Sequence, residues 1–288
     1  MRKTEKLANI CGKRQAVTVP GAPNALFARL IEDLGFEVVY VTGAGIANMQ
    51  LGVPDLGLTT ISEVSNTVAS ISDVVELPII VDADTGFGNA LNVIRTIKTL
   101  EKSGASGIQI EDQVFPKRCG HFGGKEVISK SEMVQKIHAA VDARNDQSLQ
   151  IIARTDAAAV EGLSSAIDRA QSYIDAGADI TFVEAPNSQM ELERIANELQ
   201  VPQIANIVYG GKTPDVGKAQ LAEFGFSLVL YANAILQAAL KASHEVLQSL
   251  HEKGSLAAVT EKLASFDDRQ AVVKKFDWDK LEKKYISK

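Results

Sequence analysis

The amino-acid sequence predicts an α/β fold in which eight parallel strands alternate with helices and close into a (β/α)8 TIM barrel. Short runs of β-branched residues recur along the chain, helical stretches separate them, and one helix–glycine–strand pattern is repeated. This alternation is typical of barrels, which often form one domain of about 250 residues. We therefore expect residues 1–288 to form a single barrel domain, with residues 255–288 as a C-terminal helical extension.

The predicted strands are short and nearly continuous in apolar residues, as expected of parallel strands that are covered on both faces. They comprise residues 16–19, 38–41, 79–81, 107–110, 151–153, 180–183, 203–205 and 227–230. An open doubly wound sheet is the alternative to a barrel. It is disfavoured because Gly43-Ala44-Gly45 lacks the third glycine of a dinucleotide-binding turn, and no such motif follows the first strand.

The stretches between the strands have the periodicity of amphipathic helices. In residues 25–34 the side chains of Leu26, Leu30 and Leu34 share one face, and residues 164–176 open with a serine that we expect to cap the helix. Helices are expected to end in glycine before four of the strands, because glycine can adopt the left-handed conformation that ends a helix. These segments are Leu34-Gly35-Phe36, Ser103-Gly104-Ala105, Ala176-Gly177-Ala178 and Phe224-Gly225-Phe226.

The net charge and the cysteine content indicate which partners and which cellular compartment we expect. The net charge is -6, and this argues against nucleic acid, because phosphate binding needs a basic surface. No apolar run approaches the ~20 residues that span a membrane. No apolar stretch of signal-peptide length follows the charged N-terminus. The only two cysteines, Cys11 and Cys119, do not form a disulfide framework. We expect a cytoplasmic protein with neither nucleic acid nor membrane as partner.

Charged and polar residues follow the predicted strands. In a (β/α)8 barrel the carboxyl ends of the strands meet at one rim, where active sites lie. Burying so many charged groups at that rim for stability alone would be costly, so their convergence indicates a site. The residues concerned are Thr42, Gly43, Ala44, Asp82, Asp84, Glu111, Asp112, Arg154, Asp156, Glu184, Asn206 and Tyr231.

The acidic residues of this rim favour a magnesium site. Asp82, Asp84 and Glu111 follow neighbouring strands, and carboxylate oxygens are the ligands that Mg²⁺ prefers. The absence of a His and Cys cluster disfavours zinc. The alternative is that these carboxylates cap helices and turns, since Asp84 precedes a glycine turn.

Two further rim residues can hold an anionic substrate. Arg154 presents a planar fork of donors that suits a carboxylate. Its alternative role is a structural ion pair with Glu184 or Glu111. Asn206 follows the seventh predicted strand and can bind a carboxylate or carbonyl oxygen, or else serve as a turn amide.

The long loop after the fourth predicted strand is the most informative segment. It is rich in glycine and positive charge, and contains Lys117-Arg118-Cys119-Gly120-His121. A thiol in this cationic setting can give or take a proton. The glycines indicate a loop that closes over the substrate and excludes water. The alternative is an inert cysteine.

Four separated motifs resemble the isocitrate lyase/phosphoenolpyruvate mutase superfamily over residues 17–250. They are Asp82-Ala83-Asp84-Thr85-Gly86-Phe87-Gly88-Asn89, Glu111-Asp112-Gln113, Lys117-Arg118-Cys119-Gly120-His121 and Ala153-Arg154-Thr155-Asp156. The resemblance implies a (β/α)8 barrel whose eighth helix is swapped between subunits, and a homotetramer built as a dimer of dimers. It also implies a small-molecule carboxylate as the substrate and carbon–carbon lyase chemistry.

The resemblance also implies roles for individual residues. Asp82 resembles the direct ligand of Mg²⁺, or of Mn²⁺ in its place, while Asp55, Asp84 and Glu111 would hold the ion through water. The expected substrate-binding residues are Thr42, Gly43, Ala44, Asp82, Gly120, Arg154 and Asn206. The expected catalytic residues are Lys117, Cys119, His121, Arg154 and Glu184. Among these, Cys119 looks like the general acid and Arg154 would stabilise the developing enolate.

The substrate is indicated by two segments near the C-terminal strands. Gly210-Gly211-Lys212-Thr213-Pro214 resembles the form found in 2,3-dimethylmalate lyases, and residues 231–237 lack the arginine with which methylisocitrate lyases bind their extra carboxylate. This favours a branched 2-hydroxy-dicarboxylate, cleaved to a 2-oxo acid such as pyruvate and a short carboxylic acid. The alternatives are 2-methylisocitrate lyase, oxaloacetate hydrolase or decarboxylase, and carboxyphosphonoenolpyruvate phosphonomutase. A non-catalytic barrel that serves as a binding module is the alternative from another class.

Overall fold

The computed structural model describes residues 1–120 and 123–286, and its eight parallel strands form a nearly closed barrel. The strands are β1 (Val17–Ala22), β2 (Val39–Val41), β3 (Ile79–Asp82), β4 (Gly107–Glu111), β5 (Gln150–Thr155), β6 (Ile180–Val183), β7 (Ile204–Asn206) and β8 (Leu228–Tyr231). Their order is β6-β5-β4-β3-β2-β1-β8-β7, and a parallel bridge between Thr181 and Gln203 joins the two edges. The predicted (β/α)8 barrel is confirmed.

Every predicted strand is present, and several extend further toward the carboxyl end than the apolar runs indicated. The extensions take in Asp82, Glu111, Arg154, Asn206 and Tyr231. In the parallel ladder, Asp82 pairs with Gln109 and Glu111 pairs with Arg154. These polar residues are therefore held by the sheet itself, which is more rigid than a connecting loop.

Helices surround the barrel and one of them closes its amino-terminal end. They are α1 (Lys3–Gly12), α2 (Ala25–Asp33), α3 (Gly43–Ile46), α4 (Ile61–Ser72), α5 (Ala90–Lys102), α6 (Lys130–Ala143), α7 (Leu163–Asp175), α8 (Gln189–Glu198), α9 (Gly217–Phe224), α10 (Ala234–Lys253), α11 (Phe266–Val272) and α12 (Lys275–Tyr285). Leu7 and Ile10 of α1 are buried in one cluster with Ile80 and Phe182 of the barrel interior. Because α1 fills this end, the interior opens only at the carboxyl end of the strands.

Each predicted helix–glycine–strand junction has the expected backbone. Gly35, Gly104, Gly177 and Gly225 have φ angles of 82°, 102°, 100° and 97°. This left-handed conformation is strained for residues with a Cβ. The repeated glycine therefore ends four helices and turns the chain back toward the barrel.

The apolar face predicted for α2 is not the one that packs on the barrel. Leu26, Leu30 and Leu34 do share a face, but they are 46%, 38% and 68% exposed. The buried residues of α2 are Ala28 and Ile31. Periodicity alone could not distinguish the two apolar stripes, because both have helical spacing.

The predicted serine cap of α7 is wrong. The N-cap position is Gly162, which has a φ of 91° and makes no side-chain capping bond. Ser164 lies inside the helix, where its hydroxyl accepts a hydrogen bond from Nη1 of Arg194 over 3.1 Å.

The C-terminal extension predicted over residues 255–288 is helical in its described part, where it contains α11 and α12. Much of the apolar surface of these helices, and of α10 before them, is exposed. Ser249 is the only buried residue of the 20-residue helix α10. Phe276 and Trp278 of α12 are 70% and 65% exposed, so they do not dock on the described barrel. Along the described chain, no helix is long and apolar enough to cross a membrane.

Candidate active site

Three carboxylates at the ends of β3 and β4 form the acidic part of the rim. Asp82, Asp84 and Glu111 are 8%, 5% and 1% exposed. Gly43 of α3 faces two of them: a Cβ at this position would lie 3.1 Å from Oδ2 of Asp82 and 3.3 Å from Oδ1 of Asp84. The structure therefore brings Gly43 together with these carboxylates, and the missing side chain leaves room beside them.

Asp82 is held so that one carboxylate oxygen points away from its protein partners. Its Oδ1 accepts hydrogen bonds from the backbone N–H of Asp84 over 3.1 Å and from Nε2 of Gln109 over 3.3 Å. Tyr40 in turn donates to Oε1 of Gln109 over 3.1 Å. The other oxygen, Oδ2, lies beside Gly43. Our sequence interpretation missed Tyr40 and Gln109, although a glutamine in the otherwise apolar run of β4 was a visible signal.

Lys117 lies among the carboxylates. Its amino group binds Asp55 in an ion pair and lies 2.9 Å from Oδ1 of Asp84. This second contact is an ion pair as well. The Lys117 side chain is 4% exposed. A charge buried to this extent is costly unless it is paired, and these acids provide the pairing. The structure thus joins the predicted catalytic lysine to two of the predicted metal residues.

The donor set fits a cation that is bound partly through water. Oε1 of Glu111 is buried, and no described residue hydrogen-bonds to it. Oδ1 of Asp84 is also buried and has the Lys117 amino group as its partner. Within residues 1–120 and 123–286, no three His, Cys, Asp or Glu side chains converge closely enough to chelate an ion directly. An ion held here would therefore need water among its ligands, as Mg²⁺ commonly keeps.

Burial changes the acidity of two members of this set. It raises the pKa of Asp84 to about 6, although Lys117 opposes the change. It also raises the pKa of Glu111 well above its ordinary value, and Arg154 offsets part of this effect. A divalent cation would favour the charged carboxylates, so these acids are suited to hold one.

Arg154 is surrounded by acids. Its Nε donates to Oδ2 of Asp156 over 2.9 Å and lies 3.3 Å from Oε2 of Glu111. Its Nη2 donates to Oδ1 of Asp156 over 3.2 Å and lies 3.5 Å from Oε2 of Glu184. The structural ion pairs that we considered as an alternative are therefore present. Arg154 also lines the cavity, where its guanidinium can meet a ligand.

A buried network behind the rim fixes Asp156. Asp112 accepts hydrogen bonds from the hydroxyls of Thr155 and Tyr173 over 2.7 and 2.8 Å, and from the backbone N–H of Asp156 over 2.9 Å. Although burial opposes it, Arg154 leads the interactions that lower the pKa of Asp156 to about 2. Asp156 is therefore an anion that orients Arg154.

The remaining predicted residues converge on the same rim. Thr42 caps α3 by accepting a hydrogen bond from the backbone N–H of Gly45 over 3.2 Å. Asn206 donates to Oε2 of Glu184 over 3.4 Å. Gly120 lies so close that a Cβ there would meet Nη2 of Arg154 at 2.4 Å. The predicted His121 lies outside the described residues.

A small cavity opens above these residues. The predicted residues that line it are Thr42, Ala44, Asp55, Asp82, Lys117, Cys119, Gly120, Arg154, Glu184 and Asn206. Gly43, Asp84 and Glu111 lie behind this lining. The sequence did not predict the apolar part of the wall, which Val208, Leu230 and Ala232 form.

The chain matches the family model described as phosphoenolpyruvate phosphomutase over residues 7–251. It is 45% identical over 274 residues to 2-methylisocitrate lyase of Aeropyrum pernix, covering 95% of this chain and 88% of that protein. It is 41% identical over 268 residues to 2,3-dimethylmalate lyase of Eubacterium barkeri, covering 93% of each chain.

Solved structures of similar proteins have the same fold. The crystal structure of 2,3-dimethylmalate lyase superposes with a TM-score of 0.93 at 31% identity, over 99% of this chain and 95% of that chain. A phosphonopyruvate hydrolase in complex with oxalate and Mg²⁺ superposes with a TM-score of 0.89 at 29% identity, over 100% of both chains.

The family match spans most of the chain and includes every residue of the rim. Both relatives are lyases, and their alignments cover 95% and 93% of this chain. The acidic cluster, the arginine beside it and the cysteine above it lie at the carboxyl end of the barrel, where this fold carries its chemistry. The chain therefore belongs to the phosphoenolpyruvate phosphomutase family of the isocitrate lyase/phosphoenolpyruvate mutase superfamily, and it is a carbon–carbon lyase.

Proposed function

We propose that this lyase cleaves a branched 2-hydroxy-dicarboxylate of the 2,3-dimethylmalate type into pyruvate and a short carboxylic acid. The observation that carries the proposal is the distribution of charge around the cavity. Arg154 and Lys117 are the only cationic side chains among the described residues of its lining. Both are already paired with acids, Lys117 with Asp55 and Asp84 and Arg154 with Asp156, Glu111 and Glu184. The described lining therefore offers no additional cation for a third substrate carboxylate.

The apolar wall supports a branched substrate. Val208, Leu230 and Ala232 line the cavity close to the strand ends of β7 and β8. Methyl branches can be buried against such a surface, and each buried CH₂-sized group contributes about 0.8 kcal/mol. An additional carboxylate in this place would lose its hydration without gaining a cation.

We infer that the enzyme uses Mg²⁺, with Mn²⁺ as a substitute. Asp82 would hold the ion directly through Oδ2, and Asp55, Asp84 and Glu111 would hold it through water. Oε1 of Glu111, which is buried and has no hydrogen-bond donor among the described residues, supports this inference. When bound, the ion would stabilise negative charge on the oxygens of the 2-oxo acid.

The reaction begins when a base takes the proton of the 2-hydroxyl group and becomes protonated. The C2–C3 bond then breaks as the C2–O bond becomes a carbonyl, and the electron pair of the broken bond stays on C3. Arg154 stabilises the negative charge that develops at the oxygens beside it. The Cys119 thiol then gives its proton to C3, which yields the short carboxylic acid and leaves a thiolate.

Cleavage of 2-methylisocitrate is the second candidate. The 45% identity to the Aeropyrum pernix enzyme favours it. The charge of the cavity opposes it, because this tricarboxylate needs a further cation, and no arginine occurs in residues 231–237. Substrate preference separates the two candidates.

The proposal is tested with a panel of 2,3-dimethylmalate, 2-methylisocitrate, oxaloacetate and phosphonopyruvate, each with and without Mg²⁺. Release of pyruvate is followed with lactate dehydrogenase and NADH. We expect Mg²⁺-dependent release from 2,3-dimethylmalate, and its loss in Arg154→Lys, whose amino group cannot replace the planar fork. Arg144→Lys is the matched control, because Arg144 pairs with Asp179 at the other end of the barrel.

We also propose that the chain forms a homotetramer in the cytoplasm, assembled through exchange of α10. Leu240 and Leu247 of this helix are 70% and 63% exposed, an arrangement that favours burial in a second copy. Light scattering should give a tetramer, and Leu240→Glu combined with Leu247→Glu should give smaller species. An unchanged tetramer in this variant would reject α10 as the interface.

A further inference from the structure

Lys125 is a buried cation that no function described above requires. Its amino group donates to the carbonyl oxygen of Gly120 and lies 2.8 Å from Oδ1 of Asp156. The side chains of Lys125 and Asp156 are 2% and 0% exposed. A buried charge is costly unless it is paired, and these two contacts supply that pairing.

Both partners of Lys125 are in direct contact with the site. Asp156 holds Arg154 through two hydrogen bonds of 2.9 and 3.2 Å. Gly120 is packed against Arg154 and Glu184, since a Cβ there would lie 2.4 Å from Nη2 of Arg154 and 2.7 Å from Cδ of Glu184. Lys125 therefore connects the backbone next to Cys119 with the carboxylate that orients Arg154.

We propose that Lys125 is a positioning residue that fixes Cys119 and Gly120 over Arg154. Lys125 is not part of the described cavity lining, so it acts through its two partners and not on the substrate. The proposal depends on the proposed function only where it concerns turnover, in which Cys119 is the proton donor. The position of Cys119 can be measured without any substrate.

Removal of the amino group should release this stretch of chain. In Lys125→Met, Gly120 loses its donor and Asp156 keeps only Arg154 as a cationic partner. Because a misplacement of about 1 Å can cost 10²-fold in rate, we expect kcat to fall by about tenfold or more. KM should change much less, since Arg154 and its bonds to Asp156 remain. Because a smaller fraction of folded enzyme would also lower the apparent kcat without changing KM, kcat is calculated per folded enzyme, and the labelling rate separates the two explanations.

The most direct test is the rate at which a thiol reagent such as 5,5′-dithiobis(2-nitrobenzoate) labels the folded enzyme. The chain has two cysteines, and neither is in a disulfide. Cys11 is fully buried, and burial raises the pKa of its thiol to about 12, so it reacts slowly. Labelling of the native protein therefore reports on Cys119, and Cys119→Ala gives the background.

We expect Lys125→Met to label at Cys119 about tenfold faster than the parent enzyme. Lys130→Met is the matched control: Lys130 also pairs with an aspartate, Asp168, but both side chains are exposed, and labelling should not change. Continued protection of Cys11 shows that the barrel of each variant is folded.

Equal labelling rates in folded Lys125→Met and the parent enzyme would overturn the proposal, even if the variant had lost activity. Should Lys125→Met not fold, Lys125→Gln keeps a donor for one partner but removes the charge, and the same comparison applies to it. If the parent enzyme cleaved no member of the substrate panel, the proposed function would fail. The labelling comparison would still test the role of Lys125.

Discussion

Gln109 donates a hydrogen bond from Nε2 to Oδ1 of Asp82 over 3.3 Å, and this bond determines which oxygen of Asp82 faces the cavity. The two residues are partners in the parallel ladder between β3 and β4. Tyr40 holds the other end of the amide by donating to its oxygen. The amide orientation is thereby fixed, so that its N–H group and not its oxygen meets the carboxylate.

Gln109→Leu should weaken metal binding. Loss of a residue that orients a metal ligand typically costs 10- to 100-fold in affinity. We therefore expect the Mg²⁺ concentration for half-maximal activity, and the Kd from calorimetric titration of Mn²⁺, to rise by at least about tenfold. Gln150→Leu is the control, because Gln150 lies at the start of β5, far from the rim. Unchanged metal affinity in Gln109→Leu would show that Asp82 needs no such support.

Cys119→Ser should remove most of the turnover but not substrate binding. A hydroxyl is a much weaker acid than a thiol, and loss of general acid catalysis costs about 10²- to 10⁴-fold. Pyruvate release at saturating 2,3-dimethylmalate measures the effect on kcat. Cys11→Ala, at the closed end of the barrel, should keep kcat near that of the parent enzyme. Near-normal turnover in Cys119→Ser would contradict proton donation by Cys119 and favour decarboxylation chemistry.

Asp156→Asn should destabilise the fold and change its response to acid. Removing one member of a buried ion pair costs about 3–5 kcal/mol. The pKa of Asp156 is lowered to about 2 in the folded protein, against an ordinary 3.8. Its stabilisation is therefore complete above about pH 4 and is lost as the pH falls toward 2.

Urea unfolding between pH 7 and pH 3 measures this difference. The free energy of unfolding of the parent enzyme and of Asp156→Asn should converge as the pH falls below about 4. Asp168→Asn is the control, because Asp168 forms an exposed pair with Lys130 and should change stability by less than about 1 kcal/mol. A constant difference between Asp156→Asn and the parent at every pH would contradict the assigned role of Asp156.

Gly43→Ala should interfere with the metal site while leaving the barrel folded. A Cβ at this position would lie 3.1 Å from Oδ2 of Asp82, the oxygen assigned to the ion. We expect a several-fold higher Kd for Mn²⁺ by calorimetric titration. Gly12→Ala is the control, since a Cβ there would meet nothing within 4 Å. Equal Kd values for Gly43→Ala and the parent would place the ion away from Gly43.

Residues at the strand ends could be predicted because their position depends on local sequence. Asp82, Glu111 and Arg154 each follow an apolar run, and parallel pairing brings the ends of such runs to one rim. The partners of these residues were not predictable in the same way. Gln109 and Lys125 act through contacts between side chains from separate parts of the chain, 27 and 31 residues apart, and no periodicity encodes such contacts.

The two errors in the helices have related causes. Leu26, Leu30 and Leu34 have the spacing of a buried face, but Ala28 and Ile31 have it as well, and these two are the residues that α2 buries. Ser164 has the chemistry of a cap, yet the left-handed Gly162 lets the helix begin before it. In both cases the local sequence is compatible with two arrangements, two buried faces of α2 and two starting positions of α7, and tertiary packing determines which one forms.

A cavity built for a branched dicarboxylate should discriminate between 2,3-dimethylmalate and 2-methylisocitrate, and kcat/KM for each at saturating Mg²⁺ measures this discrimination. An unpaired buried carboxylate costs more than the 1.4 kcal/mol that corresponds to a tenfold ratio. We therefore predict that kcat/KM for 2,3-dimethylmalate is at least about tenfold higher. A higher kcat/KM for 2-methylisocitrate would contradict the account, because it would require a cation for the third carboxylate that the described lining does not provide.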